Sequence, residues 1–521
     1  MLFYINKKII VNIINNKNLI YSILSGTFIG IAWLFPNTIY CAILGFLSAI
    51  YFVLLLKNDA KVFYFFLSGL ILNSIGFYWL YFTIHDFGQF STPLSLIGFL
   101  LFAILSSIQF LFPPLIYKVL KKSSVLSCIS LQATLSFVVI ESFFPKFFPW
   151  SFAHTTLFFK SLSLNASIFG TQFLSFFIFW ICEFFVDFTF FSSNKRLYKR
   201  PSFIPIIVFT ILLINGNCIN QKKYDYKKTK VTVVQAVPTT ELVEGMQIIK
   251  ADVYKYYNLT KDYIKNIDSS LIIWPESVIT NLIPENVGNV KTNFKLPYFG
   301  NNYPLITGAL SYNDNQQVFN SIFFVGKDAQ VPFPYHKQVL IPFGEYIPLV
   351  DYFPFLKKLT KLEGFFDRGT RTRIFTYSDK NNYLVKVSPF ICYEELVPRL
   401  TLEAVKKGAN LLVGVSNDGW FGKGVALNQH NMISSFRAIE TNRFLIRSTH
   451  TGLTSIIDNK GNLVDSFPIY QDFIKSYDIP LIENQTIYSK FKDILLILLN
   501  ISTFLIFLIN FFKKSEYPNK K

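Results

Sequence analysis

The sequence predicts a bundle of membrane-spanning helices combined with a soluble α/β domain. Hydrophobic residues make up 51% of the 521 residues and the mean hydropathy is +0.36, which is too apolar for a soluble protein of this length. The apolar residues gather in long runs in the first part of the chain, whereas most acidic residues lie after position 218. Runs of about 20 apolar residues are long enough to cross a bilayer, so the first part is predicted to lie in a membrane.

Seven apolar segments precede the change in composition and one follows it. Most are near the length that a membrane-spanning helix needs, although the seventh is short. The predicted spans are 19–35, 39–56, 62–84, 95–117, 124–143, 165–190, 203–217 and 491–512. We therefore expect a membrane domain with seven helices over 1–217, a soluble domain over 218–488, and a last membrane helix with a cytoplasmic tail over 489–521.

The positions of basic residues predict the orientation in the membrane. They cluster before the first predicted span and after the second, fourth, sixth and eighth, and are missing from the links after the first and third. Because basic links tend to stay in the cytoplasm, both termini are predicted to be cytoplasmic and the soluble domain extracytoplasmic. Many of the basic residues behind the net charge of +18 lie in these links, which favours a membrane, and the sequence carries no zinc knuckle or RNP-like motif that would indicate a nucleic-acid partner.

The soluble region alternates two kinds of pattern. Runs rich in β-forming residues occur at 231–235, 270–274 and 410–415. Helical periodicity appears at about 246–266, 399–407 and 428–442. A region of this length is large enough to bury one full core, so the alternation predicts a single α/β domain.

Three motifs in this region carry candidate chemistry. Glu276 ends the run IWPE, Lys337 lies in YHKQVLIPFGEY, and Cys392 lies in FICYEE. A thiol at neutral pH is mostly protonated while the thiolate is the nucleophile, so Cys392 needs a base or a nearby cation. We expect Glu276 to be the general base and acid, and Lys337 to lower the thiol pKa and stabilise an oxyanion. Such a set suits acyl transfer through a thioester.

Three further residues are expected to support this set. The backbone N–H of Tyr393 is a candidate second oxyanion donor, and Glu345 and Glu394 are expected to hold the lysine and balance its charge. Each motif alone has a plainer interpretation, since a cysteine in a β-rich run is more often a buried core residue, as expected here for Cys41, Cys128 and Cys182. The histidines are scattered without metal-ligand spacing, so no metal site is predicted.

The three motifs resemble those of the nitrilase superfamily, whose Glu-Lys-Cys set matches Glu276, Lys337 and Cys392. Together with the predicted spans, they make the chain similar to the apolipoprotein N-acyltransferase family over nearly its whole length. The further matching stretches are 76–79, 148–150, 342–348, 417–422, 429–430 and 437–443. The resemblance implies a nitrilase-like αββα sandwich joined to a multi-span α-helical membrane bundle.

The resemblance also implies an activity and its partners. Cys392 would take an acyl chain from a phospholipid and pass it to the amino group of the N-terminal S-diacylglyceryl cysteine of an apolipoprotein. That chemistry needs no metal or organic cofactor, and it places the chain in the cytoplasmic (inner) membrane with its catalytic domain in the periplasm. Trp150, Trp420 and Phe421 are candidate substrate contacts, or aromatic residues that only pack or line the membrane interface.

Two alternatives share some of these features. A membrane-anchored nitrilase-type amidase would use the same three residues on a small soluble amide, although one anchoring helix would suffice for it. A transporter with an accessory domain would show paired polar residues or inverted repeats in its spans, and the sequence has no such pattern.

The aromatic and lysine-rich segment 348–369 is hypothesised to touch the membrane and gate lipid entry.

Overall fold

The computed structural model describes most of the chain as two compact units. One comprises Met1–His85, Phe90–Lys222 and Phe491–Lys521, and the other comprises Asp86–Gln89 and Lys223–Lys490. The described residues are 16–191, 201–222, 226–238, 246–265, 267, 270–293, 296–300, 303–342, 344–347, 350, 352–353 and 366–512. Most of the segment 348–369 lies outside these ranges, as do the basic residues predicted to orient the chain after the sixth span and, except for Lys17, those near both termini.

Most of the helices lie in the predicted apolar segments or in the helical patterns of the soluble region, and short helices such as Lys160–Ser163 and Val290–Asn293 lie outside them. The helices are α1 Lys17–Leu34, α2 Ile39–Lys57, α3 Val62–Gly76, α4 Trp79–Phe82, α5 Thr92–Ser107, α6 Pro113–Leu120, α7 Ser124–Cys128, α8 Gln132–Phe143, α9 Lys160–Ser163, α10 Ala166–Phe169, α11 Thr171–Phe190, α12 Ile204–Gln221, α13 Met246–Ile264, α14 Val290–Asn293, α15 Pro398–Lys406, α16 Ala426–Thr441, α17 Ile487–Phe491 and α18 Ile494–Phe512. A π-helical turn, Thr83–Phe87, continues α4, and short 3-10 helices cover Ile108–Leu111 and Phe152–Thr156.

The first unit is helical and apolar, as expected of a membrane protein. Within the described residues, five helices are long and apolar enough to cross a membrane, or six if α3 and the segment Trp79–Phe87, which meet at 58°, form one broken span. The predicted fifth span is divided between α7 and α8. Cys128, expected in the core, is exposed because it ends the five-residue helix α7, whose buried residue is Leu126. The predicted total of eight crossings stays a prediction.

Aromatic rings and one group of paired charges hold the first unit together. The Phe52 ring lies 5.2–6.0 Å, centroid to centroid, from the rings of Phe65, Phe110, Phe137 and Phe179. The Lys57 ammonium lies 2.7 Å from Glu183 and 3.0 Å from Asp187. The Glu183 carboxylate also accepts the backbone N–H groups of Ala133 and Thr134 at the start of α8. Charges in an apolar unit are tolerated when paired in this way.

The second unit is built on two mixed sheets. Its strands are β1 Lys228–Gln235, β2 Leu271–Ile273, β3 Ile279–Pro284, β4 Gly288–Asn289, β5 Leu305–Tyr312, β6 Val318–Val325, β7 Gln330–Val331, β8 Tyr335–His336, β9 Phe375–Ser378, β10 Leu384–Ile391, β11 Leu411–Ser416, β12 Leu445–Thr449, β13 Ser455–Ile457, β14 Leu463–Ser466 and β15 Phe473–Pro480. The first sheet has the order β15-β1-β2-β5-β6-β8 with β3 beside β5, and the second has the order β14-β13-β12-β11-β10-β9.

The two sheets pack face to face with helices outside them. One continuous core joins Val233 and Ile306 of the first sheet to Val387, Val413 and Ile446 of the second. The outer face of the first sheet packs against α13, and that of the second packs against α15 and α16. This four-layer arrangement confirms the predicted αββα sandwich.

The strand directions decide where polar side chains gather. Strands β1, β2 and β5 are parallel, as are β10, β11 and β12. Strand β8 runs in the same direction as β5, because each is antiparallel to β6. Residues that follow β2, β8, β10 and β11 therefore leave their sheets at the carboxyl ends of strands, which is where open α/β sheets usually bind ligands.

Candidate active site

Glu276 lies in the turn that follows β2. Its carboxylate is buried and accepts two hydrogen bonds, from the Asn320 side-chain amide at 2.7 Å and from the backbone N–H of Asn417 at 2.6 Å. Burial raises the pKa of Glu276, Lys337 opposes the rise and Glu345 adds to it. A carboxylate whose pKa is shifted towards neutrality can both accept and return a proton.

Lys337 follows β8 and brings a positive charge to this carboxylate. Its ammonium lies 2.7 Å from Glu345 and 3.8 Å from Glu276. Burial works to lower the pKa of Lys337, but the charges of Glu345 and Glu276 outweigh it and the pKa is raised. The side chain is therefore a permanent cation, held by two carboxylates, rather than an acid or a base.

Cys392 follows β10 and begins the 3-10 helix Cys392–Leu396. Its φ of +53° lies in the left-handed region, which is unfavourable for a residue with a Cβ and requires support from the surrounding structure. Burial raises the pKa of the Cys392 thiol, Glu276 raises it further, and Lys337 lowers it. Lys337 therefore lowers the pKa of the thiol, in the expected direction, but burial raises that pKa by more. The thiol rests protonated and requires a base to become a nucleophile.

Glu345 and Glu394 have different contacts from one another. Glu345 binds the Lys337 ammonium as expected, and its other oxygen accepts the backbone N–H of Ile341 at 2.9 Å. Glu394 was expected beside the ammonium, but its two oxygens instead bind backbone N–H groups and one hydroxyl. The donors are Gln338 N at 2.5 Å, Val339 N at 3.0 Å, Ile391 N at 2.9 Å and Tyr335 OH at 2.7 Å. Glu394 therefore joins the segment after Lys337 to the strand end before Cys392.

Replacing Glu394 with glutamine is expected to destabilise the second unit by about 3 kcal/mol, because an amide nitrogen cannot accept from buried donors. The midpoint of chemical denaturation measures the loss. Glu403→Gln is the matched control, since its pair with Lys407 at 3.2 Å is partly exposed and contributes about 0–1 kcal/mol. Equal shifts of the midpoint in the two variants would contradict this role of Glu394.

The remaining predicted residues lie outside this cluster of charges. Tyr393 is the second residue of the 3-10 helix, and its role as an oxyanion donor stays a prediction. The Trp420 ring is 44% exposed and lies 5.5 Å from the Phe87 ring, while Phe421 contacts His430. Trp150 belongs to the first unit, where it is buried edge-on against Trp33. Substrate contact by these aromatic residues also stays a prediction.

Sequence reasoning missed several groups that hold the site. Asn320 lies within β6, and no sequence signal marks it. Asn417 was recognised only as part of a motif, although its backbone N–H binds Glu276. A buried polar network also lies behind Cys392, in which Ser416 binds Asp418 and Arg447 binds both Asp418 and Glu395. His430 Nε2 lies 2.9 Å from Glu395, and the Ser416 hydroxyl works to lower the pKa of the Cys392 thiol, against the stronger effect of burial.

Comparison with known proteins gives matches to both parts of the chain. Residues 25–183 match the family model described as the apolipoprotein N-acyltransferase N-terminal domain, and residues 230–472 match the carbon-nitrogen hydrolase model. The second range contains Glu276, Lys337 and Cys392.

Two similar proteins are both named apolipoprotein N-acyltransferase. The one from Bdellovibrio bacteriovorus is 28% identical, with 80% of this chain and 79% of the relative covered. The one from Azotobacter vinelandii is 26% identical, with 81% of this chain and 82% of the relative covered. Among solved structures, a nitrilase-superfamily protein of Saccharomyces cerevisiae is 15% identical, with a TM-score of 0.36 and coverage of 51% of this chain and 94% of that one.

Proposed function

The chain belongs to the apolipoprotein N-acyltransferase family, and we propose that it transfers a fatty acyl chain from a phospholipid to the N-terminal S-diacylglyceryl cysteine of apolipoproteins through a thioester on Cys392. The observation that carries the proposal is the buried cluster in which Lys337 lies between the carboxylates of Glu276 and Glu345, while the charges of Glu276 and Lys337 both shift the pKa of the buried Cys392 thiol.

The first half-reaction forms the acyl-enzyme. Glu276 takes the proton of the Cys392 thiol as the sulfur attacks the ester carbonyl carbon of the phospholipid. The Lys337 ammonium stabilises the oxyanion of the tetrahedral intermediate. The intermediate collapses with cleavage of the ester C–O bond, and Glu276 returns the proton to the departing alkoxide. The products are a thioester on Cys392 and a lysophospholipid.

The second half-reaction consumes the thioester. The α-amino group of the diacylglyceryl cysteine attacks the thioester carbonyl, and Glu276 accepts a proton from that nitrogen. Collapse of the second tetrahedral intermediate forms the amide, breaks the C–S bond and leaves a sulfur that regains its proton from Glu276. The raised pKa of the Glu276 carboxyl supports this double use, because the group must both take and return protons near neutral pH.

The same proposal includes a location. The chain is a membrane protein of several apolar helices, and we place its second unit on the periplasmic side of the cytoplasmic membrane. Support comes from the basic residues Lys57, Lys61, Lys118, Lys121 and Lys122, which follow the second and fourth predicted spans.

Incubation of the purified full chain with phospholipid is expected to add the mass of one fatty acyl chain to the protein. Intact-mass spectrometry detects the adduct, and neutral hydroxylamine removes it because a thioester is labile to that reagent. Cys392→Ala provides the comparison and is expected to acquire no adduct. Cys218→Ala is the matched control, because this exposed thiol lies outside the cluster and its removal is expected to leave the adduct unchanged. A wild-type protein that takes no acyl group from phospholipid would contradict the proposal and favour the amidase.

A further inference from the structure

His450 lies directly behind the turn that carries Glu276. It follows the last residue of β12, and its side chain is buried. The imidazole Nε2 lies 2.5 Å from the backbone carbonyl oxygen of Glu276, and Nδ1 lies 3.0 Å from the hydroxyl of Tyr256 on α13. The Tyr256 ring stands nearly perpendicular to the imidazole, with 5.6 Å between their centroids. One buried histidine thus connects a helix, a strand end and the turn of the expected general base.

The partners of the imidazole fix the position of its proton. A carbonyl oxygen can only accept a hydrogen bond, so Nε2 must carry the hydrogen that it shares with Glu276. Burial lowers the pKa of His450, while the bond to Glu276 and the charge of Asp252 oppose the change. In the neutral ring Nδ1 is then an acceptor that lies 3.0 Å from the Tyr256 hydroxyl, whose single hydrogen has a second acceptor, the Ala236 carbonyl oxygen, at the same distance. That hydroxyl in turn accepts the backbone N–H of Ala236 at 3.0 Å.

The turn needs support from outside because its backbone conformation is unfavourable. The residue after Glu276 is Ser277, whose φ of +52° lies in the left-handed region and is unfavourable for a residue with a Cβ. The bonds from Asn320 and Asn417 hold the carboxylate, but they act only on the far end of a flexible side chain. The hydrogen bond from His450 acts on the backbone of Glu276 itself.

We propose that His450 is a positioning residue for the acyl transfer, whose Nε2–H holds the Glu276 backbone so that the carboxylate stays directed at Cys392 and Lys337. The inference rests on the proposed function, since it assigns a role within that same site. His450 does not touch the reacting atoms. Its loss changes the rate at which the thioester forms and leaves phospholipid binding unchanged, because a misplaced base weakens the transition state rather than the complex with substrate.

Glutamine and methionine at position 450 separate the hydrogen bond from the bulk of the side chain. Glutamine is close to histidine in length and carries an N–H donor that reaches the position of Nε2, whereas methionine has the same length and no donor. We expect His450→Met to slow acylation of Cys392 by at least tenfold with an unchanged KM for phospholipid, and His450→Gln to stay within threefold of the wild-type rate. His450→Phe provides a second variant without a donor and with a different shape.

Time-resolved intact-mass spectrometry of the full chain with phosphatidylethanolamine in mixed detergent micelles gives these rates. Two results would overturn the inference: wild-type rates in the folded methionine or phenylalanine variant, or a glutamine variant as slow as they are. If neither donor-free variant folds, the glutamine variant alone tests the inference, and a loss of more than threefold in its acylation rate overturns it. A failure of the proposed function can be distinguished from this result, because the wild-type protein itself would then acquire no acyl group.

Discussion

Glu276→Gln is expected to slow the formation of the acyl-enzyme by at least about a hundredfold without unfolding the protein, because general base catalysis contributes about 10²–10⁴-fold. The amide oxygen of glutamine can still accept the backbone N–H of Asn417. The Asn320 side-chain oxygen has no hydrogen-bond partner within the described part of the chain, so rotation of that amide lets it accept from the new glutamine nitrogen. The variant therefore removes the proton acceptor and keeps the two hydrogen bonds at position 276, while the long 3.4 Å contact from the Asn320 amide nitrogen to Glu345 is lost.

The pH dependence of kcat/KM provides a second measurement on the same residue. Burial raises the pKa of Glu276, and only the ionised carboxylate can take the thiol proton. Activity is thus present above the raised pKa and is lost as the pH falls through it, so the acid limb of the profile is expected above the pH at which an exposed glutamate titrates. Glu403→Gln, at a partly exposed position outside the cluster of charges, is expected to keep this limb. A limb that persists in Glu276→Gln would show that another group is the base.

Gly308→Ala is expected to reduce acylation by about a hundredfold through the backbone of Glu276. A Cβ at position 308 would lie 2.4 Å from the Ser277 nitrogen and 2.5 Å from the Glu276 Cα, and backbone atoms cannot yield as a flexible side chain does. The turn must shift, and a displacement of about 1 Å in a reacting group costs about 10²-fold in rate. The acylation rate per folded molecule, from intact-mass spectrometry and thermal unfolding of the same sample, measures the effect.

The control for Gly308→Ala is a substitution of the next residue that also destabilises the protein. Ala309 is fully buried in β5, and Ala309→Gly removes a methyl group and adds backbone entropy to the unfolded chain, at a cost of about 1–2 kcal/mol. It places no atom against Glu276. We expect its acylation rate per folded molecule to remain close to that of the wild type. Equal losses of rate in the two variants would attribute the effect to general destabilisation instead of the turn.

Local sequence signals predicted the elements better than the contacts between them. Apolar runs and β-rich runs are patterns of residues adjacent in sequence. Helices of the first unit and strands such as β1, β2 and β11 could therefore be predicted from them. The division of 124–143 into α7 and α8 was not, because no proline or glycine marks the break. The sandwich itself was predicted from the resemblance to a family.

The candidate site shows the same limit. Glu276, Lys337 and Cys392 were identified because each lies in a recognisable motif. Asn320 was missed because its contact with Glu276 depends on how β6 aligns with β5, which is a property of strand register and not of any short run of residues. Glu394 was predicted to hold Lys337 because the two side chains have opposite charges. Its oxygens instead bind backbone N–H groups, which no sequence pattern shows.

The protonated state of the Cys392 thiol has a consequence for the redox chemistry of the protein. Oxidation to sulfenic acid and exchange with disulfides both begin from the thiolate. Burial and the nearby Glu276 carboxylate keep the sulfur protonated until a substrate is attacked, so a resting enzyme offers little thiolate to oxidants. Compartments outside the cytoplasm are oxidising, and that is where we place this unit. The burial that makes Cys392 depend on a base therefore also allows a single reduced cysteine to persist there without a reducing system of its own.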